Sequence, residues 1–288
     1  SILLLFAGSG LFFIDGRNLA VSEWPGISSI LVGTGILFIG YEGFGLITNA
    51  AGDMANPQKM LPRALYISIF LVALIYVSVA VVVSGSMTVA EIAASRDYAL
   101  AEAARPFLGM FGFKLVAVAA VLSTASAINA TLFGGANTSY MVAKEGELPE
   151  VFERKSWKGC PDGLFITTGL VVAFVFLFDL KSIAMMGSGA FLLIYAAVSA
   201  GHLRIAGSTG ANRALLVLAV ALCLGMFALL ARYMYQESKA SFMAMFIILA
   251  AAFLIEAVYR KASGRRLRHL SAPAGGFPQA VSGSSSRK

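Results

Sequence analysis

"FIGYEGFGLITNAAGDMANPQKMLPRA", Phe38 to Ala64, decides how this chain is read. It opens inside an apolar run and then sets Glu42 among Gly40, Gly43 and Gly45. Each glycine weakens a helix by about 1 kcal/mol relative to alanine, and a carboxylate in hydrocarbon is costly. A continuous helix from Pro25 reaches Ile39 after about 22 Å, a little past the middle of a roughly 30 Å hydrocarbon core. Irregular backbone at that depth survives only where it lines a protein cavity. The stretch therefore predicts a broken helix, one half ending near Ile39 and the next starting near Phe44. The first half would present carbonyls of partial negative charge, the second amide protons of partial positive charge. The carbonyl end suits a cation such as an α-ammonium group, and Tyr41 and Phe44 flank the break where they can close over a ligand. Discontinuous helices at mid-membrane are how secondary transporters build substrate sites. Two plainer readings stand beside this one. Glycines also serve as packing contacts between membrane helices, and Glu42 reads equally as a structural carboxylate or as a proton relay.

Composition sets the frame around that stretch. Of 288 residues, 58% are hydrophobic and 13% charged, and the mean hydropathy is +0.81. A soluble domain carries about 25% charged residues, so this chain cannot coat a water-facing surface, and an all-α integral membrane protein follows. Long apolar runs exclude a barrel, whose strands alternate over about ten residues. Two cysteines, Cys160 and Cys223, and two histidines, His202 and His269, give no metal spacing and no disulfide framework. No nucleotide-binding motif such as a phosphate-binding loop occurs, and transport needs no covalent chemistry, so the expectation is that the chain is not an enzyme. The net charge of +7 reads as a membrane-flank bias rather than a nucleic-acid surface.

Seven apolar runs follow an initial stub: 26–52, 64–86, 113–143, 164–178, 182–201, 214–231 and 240–258. The stub, Ser1 to Ile14, covers only about 21 Å as a helix and lacks a basic leader region, so it reads as the end of a helix that starts upstream. Between the second and third runs, "TVAE", Thr88 to Glu91, is a capping box. It predicts short amphipathic helices over 89–105. The segment from Ser271 is rich in Gly, Ser and Pro and is expected to be disordered. Alternating sides at each run places 15 of the 22 Lys and Arg residues on one side. By the positive-inside rule that side, with the C-terminus, is cytoplasmic. The expected location is the plasma or inner membrane, with multiple passes through the bilayer.

"GYEGFGLITNAAGDMANPQKMLPRA", Gly40 to Ala64, resembles the sixth-helix signature of the amino acid–polyamine–organocation (APC) transporters. "NATLFGGANTSYMVAKEGELPEVFERK", Asn129 to Lys155, is similar to that family's eighth helix and following loop. The two motifs stand in the family's order, and the likeness runs over roughly residues 1–262. It is strongest toward proton-coupled, broad-specificity members, in "GFGLITNA", "GGAN" and "GELPEVFERK". The resemblance implies a LeuT-like fold of two inverted five-helix repeats plus two further helices, present here as its C-terminal portion. Residues 1–204 would be the partial core, from the end of helix 5 through helix 10. Residues 205–262 would be helices 11 and 12, and 263–288 a cytoplasmic tail. The partners implied are the bilayer, an amino-acid substrate and the N-terminal helices of the same protein, and no cofactor is implied beyond a coupling ion.

By the same resemblance, Ile39, Gly40, Tyr41 and Phe44 line the helix-6 half of a substrate site. Ser123, Thr124 and Ser126 lie where sodium-coupled relatives hold an ion, and hydroxyls there also bond commonly to their own helix carbonyls. In proton-coupled members a helix-5 lysine takes the ion's place, at a position upstream of Ser1. Glu42 is a departure from those members, and acids occupy the position in several exchangers. The expected activity is secondary active transport of amino acids by alternating access, with proton coupling. Exchange or sodium symport on the same fold is the first alternative, a channel or receptor the second.

Overall fold

The computed structural model describes residues 2–20, 22, 24–49, 54, 56–144, 146–156 and 159–263. The expectation of a disordered tail falls outside the described residues. Among them the chain is helical throughout: α1 (Ile2–Gly10), α2 (Ile27–Leu37), α3 (Gly45–Asn49), α4 (Pro57–Ser86), α5 (Val89–Ser95), α6 (Ala99–Ala103), α7 (Arg105–Lys144), α8 (Asp162–Leu177), α9 (Leu180–Thr209), α10 (Arg213–Glu237) and α11 (Lys239–Ser263). Five of these, α4, α7, α9, α10 and α11, are long and apolar enough to cross a bilayer. The other two expected spans are shorter. Ile27–Gly43 is interrupted, and α8, with 16 residues, measures about 24 Å against a core of roughly 30 Å.

Two helices begin earlier than their apolar runs. α4 starts at Pro57 rather than near residue 64, and Pro62 sits within its first two turns. The missing amide of Pro57 costs nothing at the first helical position, and the amides of Lys59 and Met60 are satisfied by the Asn56 carbonyl. α7 starts at Arg105, with Gly109 at φ 60°, ψ −156° marking a kink. Only glycine takes that conformation without strain. Polar first turns obey capping chemistry, which hydropathy does not register.

The described residues group into two compact units, Ser1–Pro25 with Phe44–Thr131, and Gly26–Gly43 with Leu132–Lys288. In the first, Phe6, Val82, Ala103 and Val116 are buried together, with Phe107 packed against them. The rings of Phe6 and Phe107 lie 5.4 Å apart. Gly10 allows this closeness, since a Cβ there would run into Val82. The Asp15 amide and the Asn18 side chain both donate to the Gly85 carbonyl, at 2.9 and 3.3 Å, which ties the segment after α1 to the end of α4. In the second unit the core is rich in methionine: Met185, Met186, Leu192, Leu230, Met234 and Met245. Beside it a chain of hydroxyls runs from Ser238 through Ser241 to Ser182, at 3.0 and 2.8 Å. Outside these cores, large apolar side chains such as Phe70, Phe111, Phe176 and Phe253 are exposed. Surfaces of that kind belong to lipid or to further protein.

The expected capping box is present. The Thr88 backbone amide and hydroxyl both donate to one Glu91 carboxylate oxygen at 2.8 Å, and the Glu91 amide donates back to the Thr88 hydroxyl at 3.3 Å. The amide bond, then the hydroxyl bond, hold the Glu91 carboxyl below its usual range. A depressed folded value means the stabilisation is complete above the ordinary carboxylate range and is lost as pH falls through the folded value. Protection of the Glu91 and Ile92 amides against hydrogen exchange should therefore fall once the pH drops below the ordinary carboxylate range. Equal protection at pH 6 and pH 3, after correction for intrinsic rates, would contradict this.

Candidate functional site

The quoted stretch changes its hydrogen bonding where the glycines begin. α2 ends at Leu37, residues Phe38–Phe44 form a 3₁₀ helix of seven residues, and α3 resumes the α form at Gly45. Such runs rarely exceed three or four residues and often mark strain or a hinge. The chain here tightens rather than opens, and the α form ends two residues before the expected Ile39. Gly40, Gly43 and Gly45 do not have positive φ, and a Cβ on any of them would meet nothing within 4 Å. Close packing of side chains does not account for these three glycines among the described residues.

What holds the transition is a serine from α9. Ser188 is fully buried. Its hydroxyl donates to the Ile36 carbonyl at 2.9 Å and accepts from the Ile39 amide at 3.0 Å. A side chain inserted into a helix ladder is one of the few established causes of a kink. The insertion sits about 14 Å along α2, near half the thickness of a bilayer core. Small neighbours make room for it. A Cβ at Gly187 would collide with the Ile39 side chain, and one at Gly189 would lie 2.8 Å from the Met245 sulfur. Gly187→Val should cost the full-length protein about 1–3 kcal/mol through overpacking, read as a lowered thermal midpoint in detergent. A midpoint equal to that of the native protein would contradict the close approach of α9 to Ile39.

Two turns further along α9, the Tyr195 hydroxyl donates to one Glu42 carboxylate oxygen at 2.9 Å. The other Glu42 oxygen is buried with no hydrogen-bond partner among the described residues. Phe38 packs edge-on to the Tyr195 ring at 6.0 Å, and Phe191 stacks on it at 6.3 Å. The arrangement is a carboxyl group held by one phenol, bordered by aromatic rings, with an acceptor left over. A buried acceptor without a donor is costly. The available remedies are a proton on the carboxyl group, an incoming donor or a cation.

The second unit thus brings Ile39, Gly40, Tyr41 and Glu42 together with Ser188 and Tyr195. Tyr41 is 37% exposed. The side chain of Phe44 falls outside the described residues. Ser123, Thr124 and Ser126 belong to the first unit and are exposed there on α7. Ser123 and Thr124 line a cleft of about 410 Å³ with Ile2, Leu3, Leu100 and Val116. Thr131 and Thr138 donate to carbonyls of their own helix. Ser188 and Tyr195 were not expected from the sequence. The signal available for the first was the triplet Gly187-Ser188-Gly189 inside an apolar run. A lone tyrosine in such a run carries none.

The sequence matches the amino acid permease family over residues 2–259. It is 38% identical over 265 residues to an uncharacterized protein of Methanocaldococcus jannaschii, covering 92% of this chain and 61% of that protein. It is 33% identical over 216 residues to the inner membrane transport protein YbaT of Escherichia coli, covering 75% of this chain and 50% of the relative. L-asparagine permease 1 of Mycobacterium tuberculosis is 26% identical over 183 residues, covering 58% of this chain and 35% of the relative. The chain therefore spans at most about three fifths of the length of these curated relatives.

Proposed function

Because this chain belongs to the amino acid permease family, we propose that it forms part of a secondary transporter that moves amino acids across a membrane by alternating access, driven by protons. The observation that carries the proposal is the interrupted helix Ile27–Asn49, pinned by Ser188 and bearing Glu42 against Tyr195. Membrane-depth backbone of this kind, beside a carboxyl group with a spare acceptor, is suited to a ligand that carries a charged donor. Ile39, Gly40, Tyr41 and Phe44 are assigned to the substrate, and Glu42 to the proton or to a cationic group of the substrate. Ser123, Thr124 and Ser126 are assigned to the coupling-ion region. Transport by this scheme makes and breaks no covalent bond and needs no cofactor.

Names among the relatives support the substrate class, since an asparagine permease and a cationic amino acid transporter of Arabidopsis thaliana both align with this chain. Solute counterflow tests it. Liposomes holding the full-length protein and loaded with unlabelled amino acid should accumulate labelled amino acid from outside, equally with and without sodium. No counterflow for any amino acid would overturn the transport reading. Counterflow only with sodium would overturn the proton coupling.

A further inference from the structure

The second unit carries a cleft of about 530 Å³ between α2 and α10, whose lining does not include Glu42. Its lining changes character along its length. Gly35 faces Met226 and Leu230, which fixes the register of the two helices. From that level, Ser28 lies about 10 Å along α2 and Gln236 about 9–15 Å along α10, toward the other end of the cleft. One end is thus apolar, lined by Ile36 and Leu229, and the other is polar, lined by Ser28, Ser29, Arg232 and Gln236. The rim is also unbalanced in charge. Lys181, close by, is matched by Glu237 at 2.8 Å and by the Tyr233 hydroxyl at 2.9 Å. Arg232 has no ion pair among the described residues.

A cationic, hydroxyl-bearing rim above an apolar floor fits an amphiphile with an anionic head. The chain is a multi-pass membrane protein, and phospholipid is the amphiphile such a cleft meets. Arginine presents a planar fork of donors that matches a phosphate. We propose that this cleft binds an anionic phospholipid, with its phosphate at Arg232, Gln236, Ser28 and Ser29 and an acyl chain along Val32, Ile36 and Leu229. The bilayer thereby acquires a specific seat on α2, the helix whose far end becomes the 3₁₀ segment.

Native mass spectrometry of the purified full-length protein tests this without any transport measurement. The probes are dioleoylphosphatidylglycerol and dioleoylphosphatidylcholine at equal concentration. The native protein should retain the glycerol lipid preferentially. Arg232→Gln should lower that retention about fivefold, the usual worth of one basic residue at a lipid surface, and lower that of the choline lipid, whose ammonium group opposes the guanidinium, by less. Arg232→Lys should keep much of the preference. Gly33→Leu should reduce retention of both lipids by filling the floor, since a Cβ there meets nothing within 4 Å. Equal retention of the two lipids, or an Arg232→Gln protein that holds the glycerol lipid as well as the native one, would overturn the site. The second result is also what occupation of the cleft by another segment of the full chain would give.

Discussion

Ser188→Ala should destabilise the full-length protein by about 1–3 kcal/mol and sharply lower the proposed amino-acid uptake, while Ser188→Thr should retain most of the uptake. The Ser188 hydroxyl is the shared partner of the Ile36 carbonyl and the Ile39 amide. Both backbone groups are part-buried beside the fully buried Ser188 hydroxyl, so removing it leaves them to find each other, to take up water or to stay unsatisfied. If they join, the ladder closes and the 3₁₀ segment carrying Tyr41 and Glu42 shifts. If they do not, the desolvation penalty is felt in full. Threonine keeps the hydroxyl and adds one methyl group, an overpacking cost of about 1–3 kcal/mol unless the site relaxes. Thermal unfolding in detergent reads the stability, and initial rates in liposomes read the function. An alanine protein equal to the native one in both would show that Ser188 only fills space.

Glu42→Gln should flatten the pH dependence of uptake and lower the rate at its optimum by about ten- to a hundredfold. That range corresponds to losing one charge-assisted hydrogen bond of about 1.5–3 kcal/mol. Glutamine keeps the size and can still accept from the Tyr195 hydroxyl, but it neither binds nor releases a proton. Tyr195→Phe removes the donor and leaves the carboxyl group, so it should shift the pH profile rather than abolish it. If Glu42 instead serves a cationic substrate, Glu42→Gln should cut uptake of lysine and arginine and spare neutral amino acids, with the pH profile preserved. Uptake unchanged across both pH and substrate would leave Glu42 a purely structural carboxylate.

Much of the fold was legible because membrane helices announce themselves by apolar length, and the capping box by residue spacing. The glycine cluster with its acid also pointed to a departure from regular helix between Phe38 and Phe44. Its form was not legible. The three glycines permit several backbones, and the hydroxyl that meets the backbone where the α form gives way belongs to Ser188, some 150 residues away in the chain. The partner of Glu42 was hidden for a similar reason. Tyr195 sits in an apolar run, where a lone tyrosine carries no signal of its own. Helix starts were misplaced at Pro57 and Arg105 because the first turn of a helix is polar by design.

Proton-driven uptake by the full-length protein in liposomes tests the proposed transport most directly. A pH gradient, acid outside and with no sodium present, should drive labelled amino acid inward above its equilibrium level. Collapse of the gradient with a protonophore should release it, and Glu42→Gln should fail to concentrate it. Uptake that merely equilibrates, in native and Glu42→Gln proteins alike and indifferent to the gradient, would contradict the assignment of Glu42 and its broken helix to coupled transport.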